Sequence, residues 1–265
     1  MTDFTTITAC GECCVGCSKK KEGSCPGCIE ADGRVPEWAQ SGMCKVHACC
    51  KEHKARFCGV CIEFPCEKLP QMISWNPQIV EHLSALRDEY IIRTLSEKYT
   101  VRRLTEADIS KVLTLCEQNT LYYQYCPPFV SEQSIRDDMN ALPPGKTKAD
   151  KYYLGYFKED QLIAIMDLIM SFPDKTTAFI GFFMTDVSMQ GIGLGSTIVT
   201  ELCNAMSRIG MKELRLGWVK GNPQAEYFWK KNGFVETGVT NETEKIYSCC
   251  GAEGITREIL IDSTI

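Results

Sequence analysis

No stretch of this 265-residue chain reaches the roughly 18 uninterrupted apolar residues that a membrane-spanning helix needs, so no such span is expected. Basic charge is also in short supply. With 29 Lys and Arg against 34 Asp and Glu, the net charge is −5, and the chain as a whole lacks the cationic surface that displaces counterions from a phosphate backbone. A nucleic-acid partner is therefore not expected, and the isolated run Lys19-Lys20-Lys21 reads as solvated surface. The opening residues, Met1-Thr2-Asp3-Phe4, lack the basic and then apolar regions of a secretion signal, which points to the cytoplasm. What remains, 44% apolar and 24% charged residues, is the composition of an ordinary globular protein, and the length favours two domains over one.

The abundant residue is cysteine. Of 17 in the chain, twelve lie between Cys10 and Cys66. So dense a segment buries too little apolar surface to be secure without a cross-link, and in a reducing compartment a metal is the more plausible one than disulfides. The spacings Cys10-x2-Cys13, Cys14-x2-Cys17, Cys25-x2-Cys28 and Cys58-x2-Cys61 each bring two thiolates within reach of one tetrahedral ion. Cys44, Cys49, Cys50 and Cys66 complete a set large enough for two four-cysteine sites, with the pairing left open. An iron–sulfur cluster uses similar spacings, but the ferredoxin run Cys-x2-Cys-x2-Cys-x3-Cys-Pro is not reproduced, and zinc is favoured. With cysteines in surplus, His47 and His53 are assigned to the surface.

The first domain, residues 1–97, is thus expected to be loops around metal. It should close with a helix whose apolar stripe is Ile79, Leu83, Leu86, Tyr90 and Ile91, capped by Asn76 with Pro77 in its first turn. Residues 98–265 have a different rhythm. A strand at 99–104 leads to a helix opened by Thr105-Glu106-Ala107-Asp108, a second helix begins near Ser131 or Ser134, and three strands occupy 152–157, 162–170 and 177–186. A glycine-rich loop, a helix from Leu194 to Ile209, a strand through Leu214, Leu216 and Trp218, and a helix capped by Asn222 with Pro223 follow. The fold class is α/β with a mixed, mostly antiparallel sheet flanked by helices.

Gln190-Gly191-Ile192-Gly193-Leu194-Gly195-Ser196, between a strand and a helix, suits a phosphate. Glycines admit the anion close to the backbone, and the first helical turn presents unpaired N–H groups at the positive end of its dipole. A nucleotide-triphosphatase loop is excluded because no Lys-Ser or Lys-Thr follows. A dinucleotide fold fits poorly: Ser196 takes the place of its third glycine, Glu213 stands at the wrong end of the next strand, and several strands precede the loop.

These residues resemble the GNAT N-acetyltransferase superfamily. Its Gln/Arg-x-x-Gly-x-Gly/Ala signature is matched by Gln190, Gly193 and Gly195. Its second signature, Asn-x-x-Ala-x-x-Phe-aromatic-x-Lys-x-Gly-Phe, is matched along Asn222 to Phe234. The resemblance implies that acetyl-CoA is the cosubstrate, with its pyrophosphate on the loop residues 190–196 and its pantetheine paired to the fourth strand at Phe183, Met184 and Thr185. Asn222, Tyr227 and Lys231 would complete the cofactor site. The implied reaction is attack of a neutral amine on the thioester, with strand N–H groups stabilising the oxyanion.

Two departures from the family pattern matter. Many members carry a tyrosine, which protonates the leaving thiolate, where this chain has Trp229; Tyr227 is the nearest substitute, and solvent is the alternative because a thiol is not a poor leaving group at neutral pH. The fourth strand has no central carboxylate, so Asp167, within Ile165-Met166-Asp167-Leu168-Ile169, is the candidate base; burial would raise its proton affinity. Tyr122-Tyr123-Gln124-Tyr125 falls where family members form the acceptor pocket, for a small amine or for a peptide or protein. These departures keep a competing class open, a CoA-binding protein that senses metal or redox state with little transfer. Residues 8–70 separately resemble a small family of cysteine-rich zinc-binding domains of unknown function. Cys10-Gly11, Cys25-Pro26-Gly27-Cys28 and Cys58 through Pro65-Cys66 carry that likeness, which brings no activity.

Overall fold

A computed structural model of the chain describes residues 2–243 and 255–262. The chain divides into two compact units, Met1–Ile92 and Arg93–Ile265, a few residues before the boundary suggested at 97/98.

In the first unit, loops carry most of the cysteines and helices are short: α1 (Ser18–Lys21), α2 (Lys45–Glu52), α3 (Lys68–Met72) and the longer α4 (Ile79–Thr94), which runs across the boundary. Phe57, Leu69, Ile73, Leu83 and Ile91 are fully buried, and the rings of Phe4, Phe57 and Tyr90 cluster with centroids 5.0–6.1 Å apart. α4 is the scaffold on which the loops lie. Leu83 Cδ2 stands 2.6 Å from where a Cβ on Gly11 would be, the Gly11 carbonyl lies 3.1 Å from Nε2 of His82, and Cys58 N–H donates to Ala9 O at 2.8 Å. The stripe from Ile79 to Ile91 is helical as expected, and the regular helix begins at Ile79. Asn76 Oδ1 accepts from Gln78 N at 3.0 Å and Asn76 O from Ile79 N at 3.2 Å, the bonds of a capped first turn through Pro77.

The second unit is a seven-stranded mixed sheet with helices on it. Its elements are β1 (Thr100–Arg103), α5 (Ile109–Gln118), α6 (Thr120–Tyr125), α7 (Glu132–Asn140), β2 (Lys151–Lys158), β3 (Gln161–Ile169), β4 (Thr177–Thr185), α8 (Leu194–Arg208), β5 (Glu213–Val219), α9 (Pro223–Lys231), β6 (Val235–Thr243) and β7 (Ile255–Asp262). The strand order is β1-β2-β3-β4-β5-β7-β6, antiparallel throughout except for β4 and β5. Helix entries follow the sequence signals. Thr105 and Asp108 form a capping box, Ser131 Oγ accepts from Ser134 N, and Asn222 Oδ1 accepts from Ala225 N with Pro223 in the first turn. On one sheet face, Leu104, Val112, Leu115, Ile135, Tyr153, Ile165 and Phe182 form a core under α5 and α7. Among the described residues, no helix is long and apolar enough to cross a membrane.

One irregularity of the sheet creates the site. β4 and β5 pair only from Thr177↔Glu213 to Ile180↔Leu216, and beyond that point they part. Backbone groups of the β4 segment 181–185 are thereby left without a β5 partner, available to a bound chain.

Candidate active site

The gap between the strands opens into a cleft of about 360 Å3. Gly181 to Thr185 form one wall and Gly217, Trp218 and Val219 the other. The 190–196 loop closes one end, and α9 supplies Asn222, Tyr227, Trp229 and Lys231. This gathers the expected cofactor residues Phe183, Met184, Thr185, Gln190, Gly191, Gly193, Leu194, Gly195, Ser196, Asn222, Tyr227 and Lys231 into one lining. Ile192, 69% exposed, is not among the lining residues.

The loop leaves room for a ligand close to its backbone. Gly193 is the N-cap of α8 with φ +89°, a left-handed conformation open to glycine, and nothing stands within 4 Å of the position its Cβ would take. The first turn of α8 begins at this point, with Leu194, Gly195 and Ser196 in the cleft lining. Gln190 is a tether more than a ligand. Its Nε2 donates to Asn119 Oδ1 at 2.8 Å, while Asn119 Nδ2 donates to Leu115 O at 2.9 Å and to Thr185 O at 3.2 Å. The loop is thus tied to the end of β4 through the α5–α6 junction.

Trp229 occupies the family's tyrosine position as a core residue. It is buried, with ring centroids 5.9 Å from Phe183, 4.9 Å from Phe228 and 5.1 Å from Phe234. Its indole shapes the wall that Phe183 presents and offers no acid. Tyr227 lines the cleft with its side chain 69% exposed.

Asp167 does not line the cleft but lies immediately behind it. In register, Asp167 pairs with Phe182 and Leu168 with Ile180, which leaves Gly181 as the extra residue of a β-bulge. A Cβ on Gly181 would stand 2.8 Å from Asp167 Oδ2, so the glycine is what lets the carboxylate approach the cleft wall. Burial raises the Asp167 pKa above the usual carboxylate range, opposed by the charge and hydrogen bond of Lys151, whose Nζ lies 2.6 Å from Oδ2. Near the other end of the wall, Tyr122 packs edge-on against Phe182 at 5.7 Å, and buried Cys126 lies against Val219 with Tyr122 and Tyr125 beside it.

Asn119, Cys126, Trp218, Val219 and Lys151 were not singled out from the sequence. Gly181 carried a signal, a glycine in the middle of an apolar strand, which often marks a bulge or a close approach. For the others the local pattern holds no cue, because their place in the site depends on where β5 parts from β4.

The cysteines of the first unit gather in two neighbourhoods; the spacing foretells the company of Cys58 and Cys61 but not that of Cys14 and Cys28. Burial, the charges of Cys14 and Cys10, a hydrogen bond with Cys14 and the charge of Cys44 push Cys28 up to about 12. Cys50 and Cys58 share a thiol hydrogen bond that raises the first and lowers the second, and Cys49 and Cys61 act on the same group. Charges of Cys58 and Cys66 act on both Cys49 and Cys61. Cys13 and Cys17 are exposed, and Cys25 is half-buried. The donor chemistry suits a thiophilic ion, but among the described residues no group of three or more His, Cys, Asp or Glu side chains is arranged to hold a metal.

Residues 116–234 match the family described as Acetyltransferase (GNAT) family. Over 159 residues the chain is 28% identical to the ribosomal-protein-serine acetyltransferase of Escherichia coli strain K12, covering 57% of this chain and 86% of that protein. Among solved structures, an acetyltransferase of Salmonella typhimurium that modifies the N-terminal serine of a 50S ribosomal subunit protein aligns with a TM-score of 0.50 at 17% identity. The alignment covers 63% of this chain and 95% of that one. An acetyltransferase of Thermus thermophilus aligns at 0.48 and 15% identity over 61% and 96%. The family match and the sequence relationship make residues 116–234 a GNAT acetyltransferase domain. The second unit is accordingly an acetyl-CoA-dependent N-acetyltransferase.

Proposed function

We propose that the second unit acetylates the terminal amine of a peptide or protein. The observation that carries this is the sequence relationship to an enzyme of ribosomal-protein serine, which spans 86% of that enzyme. The cleft supports the same choice. Its described lining contains no Asp or Glu, and beyond Gly181 it is walled by Tyr122, Cys126, Trp218 and Val219. A polyamine or an aminoglycoside carries several cations, each needing an anionic partner when desolvated, and that wall offers none. A peptide brings one amine, backbone groups and a side chain.

In this proposal the acceptor ammonium gives a proton to Asp167 and the neutral amine attacks the thioester carbonyl. The C–N bond forms, the C–S bond breaks, and CoA leaves as thiolate. The nitrogen releases its second proton to water as the tetrahedral intermediate collapses, and the thiolate takes a proton from water or from the hydroxyl of Tyr227, which water then reprotonates. Incubating the protein with acetyl-CoA and a panel of short peptides, polyamines, aminoglycosides and free amino acids, while following free thiol, tests the choice. Peptides are expected to turn over at least about tenfold faster than polyamines at equal concentration, about 1.4 kcal/mol in transition-state binding. A preference for polyamines or aminoglycosides would reverse the assignment of the acceptor.

For the first unit we propose a structural zinc module. The short cysteine spacings and the two thiol neighbourhoods, Cys10, Cys14, Cys28 and Cys44 in one and Cys49, Cys50, Cys58, Cys61 and Cys66 in the other, support it. Elemental analysis of protein purified without chelator is expected to find about two zinc ions per chain and little iron. Brown protein with charge-transfer absorption would replace zinc by an iron–sulfur cluster.

A further inference from the structure

We propose that Lys151 is a positioning residue for the transfer reaction: it holds Asp167 Oδ2 at the Gly181 bulge and keeps the carboxylate ionised to take the proton of the acceptor amine. This rests on the assignment of Asp167 as base.

Lys151 opens β2 and is only 4% exposed, unusual for a lysine. Its Nζ lies 2.6 Å from Asp167 Oδ2 and 5.7 Å from the centre of the Tyr153 ring, which stands opposite Asp167 in register. The Lys151 carbonyl accepts from Arg103 of β1, so the backbone that carries the ammonium is itself held. One carboxylate oxygen is thus fixed. The other, Oδ1, is buried with no hydrogen-bond partner.

A buried carboxylate oxygen without a donor lowers stability, and an ion pair in such a place adds little net stability to offset it. Structural pairs are normally satisfied at both oxygens. Here Oδ1 is left open, and Oδ2, the oxygen that Lys151 holds, is the one nearest the bulge where β4 leaves β5, 2.8 Å from the place of a Cβ on Gly181, a residue with no side chain to separate it from the cleft wall. The bulge is also where the thioester end of a pantetheine laid along 183–185 arrives if its pyrophosphate lies on the 190–196 loop. Lys151 therefore does two things. It fixes the orientation of the carboxylate, and its charge keeps that carboxylate ionised against burial.

The charged and titratable groups nearby are few. Tyr153 of β2 and, through Phe182, Tyr122 of α6 flank Asp167, and β4 presents Phe182 and Gly181. Farther along the face, Arg102 of β1 and Lys111 of α5 lie over Phe157, with Arg102 paired to Asp108. Among the described residues, Lys151 alone contacts the carboxylate with a charge.

The test is the pH profile of kcat/KM for the full chain, wild type against Lys151→Met and Lys151→Arg, with Asp167→Asn as reference. Without the ammonium the acid limb moves to higher pH. At neutral pH Lys151→Met should fall by about tenfold or more and recover as the pH is raised. Lys151→Arg keeps the charge and should keep the wild-type limb. CoA binding by calorimetry checks the fold, and Lys151→Gln serves where the methionine variant does not fold. A loss of equal size at every pH would make Lys151 merely structural and overturn the proposal. Two other outcomes separate the layers: an active Asp167→Asn removes the base assignment itself, whereas an inactive one beside an unshifted Lys151→Met limb removes only the role of Lys151.

Discussion

Gly193→Asp is expected to weaken acetyl-CoA binding by about 100-fold or more while leaving the chain folded. Two effects act at the same point. The backbone there is left-handed, φ +89°, which a residue with a Cβ adopts at a cost of about 1–2 kcal/mol. That penalty alone falls on the apo and bound protein alike, so it lowers stability more than affinity. The second effect discriminates. The space beyond the α-carbon is open, nothing lying within 4 Å of a Cβ, and this is the space a pyrophosphate needs if it is to meet the first turn of α8. A carboxylate placed there meets a like charge about 4 Å away, worth about 4 kcal/mol near a protein surface. Half of that is about 2 kcal/mol, and the loss of close approach to the backbone N–H groups adds to it, against the about 2.7 kcal/mol that a 100-fold change in Kd represents. Calorimetry on wild type, Gly193→Ala and Gly193→Asp separates strain from charge. The alanine should bind within about tenfold of wild type, and unchanged affinity in the aspartate variant would mean that the loop does not hold the pyrophosphate.

The conformation of the loop was legible in the sequence because it depends on local chemistry. Glycines at 191, 193 and 195 before a helical stripe suffice to describe a phosphate cradle, and the Asn222 cap with Pro223 suffices to start the helix on the opposite side of the cleft. Strand and helix order was legible for the same reason. What was not legible lies in contacts between distant residues. Asn119 ties Gln190 and Thr185 together across 66 residues or more, and nothing in its neighbourhood marks it. Trp218 and Val219 are ordinary β5 residues until β5 leaves β4. The cysteines show the limit most plainly. Short spacing suggested Cys14 with Cys17, whereas Cys14 hydrogen-bonds Cys28, with Cys10 and Cys44 near, and Cys17 is exposed. Loops bring together what the spacing separates. Asp167 stands between these cases. Its apolar setting in the sequence gave its raised proton affinity, while its partner Lys151, 16 residues earlier, and the bulge in front of it emerged only from the pairing of β2, β3 and β4.

Asp167→Asn is expected to lower kcat by about 100-fold or more, within the range that a positioned general base supplies. The substitution is close to isosteric, so the bulge at Gly181 and the β3–β4 register have no steric reason to change. What changes is proton affinity, because an amide cannot take a proton from the ammonium at any accessible pH. The wild-type profile supplies an independent check of sign. A base works only when deprotonated, and burial raises the Asp167 pKa, so activity is lost as pH falls through a value above the usual carboxylate range. In Asp167→Asn that limb should vanish along with the rate. The KM for acetyl-CoA should stay within about threefold, since the 190–196 loop and the 183–185 segment are untouched. Stability moves separately. The variant leaves the Lys151 ammonium, 4% exposed, without its counter-charge, and its Tm should drop even though a desolvated carboxylate has been removed. Measuring kcat well below that Tm keeps the two effects apart. If kcat then stays within about threefold of wild type, Asp167 is not the base, and the buried pair belongs to the architecture of the sheet and not to its chemistry.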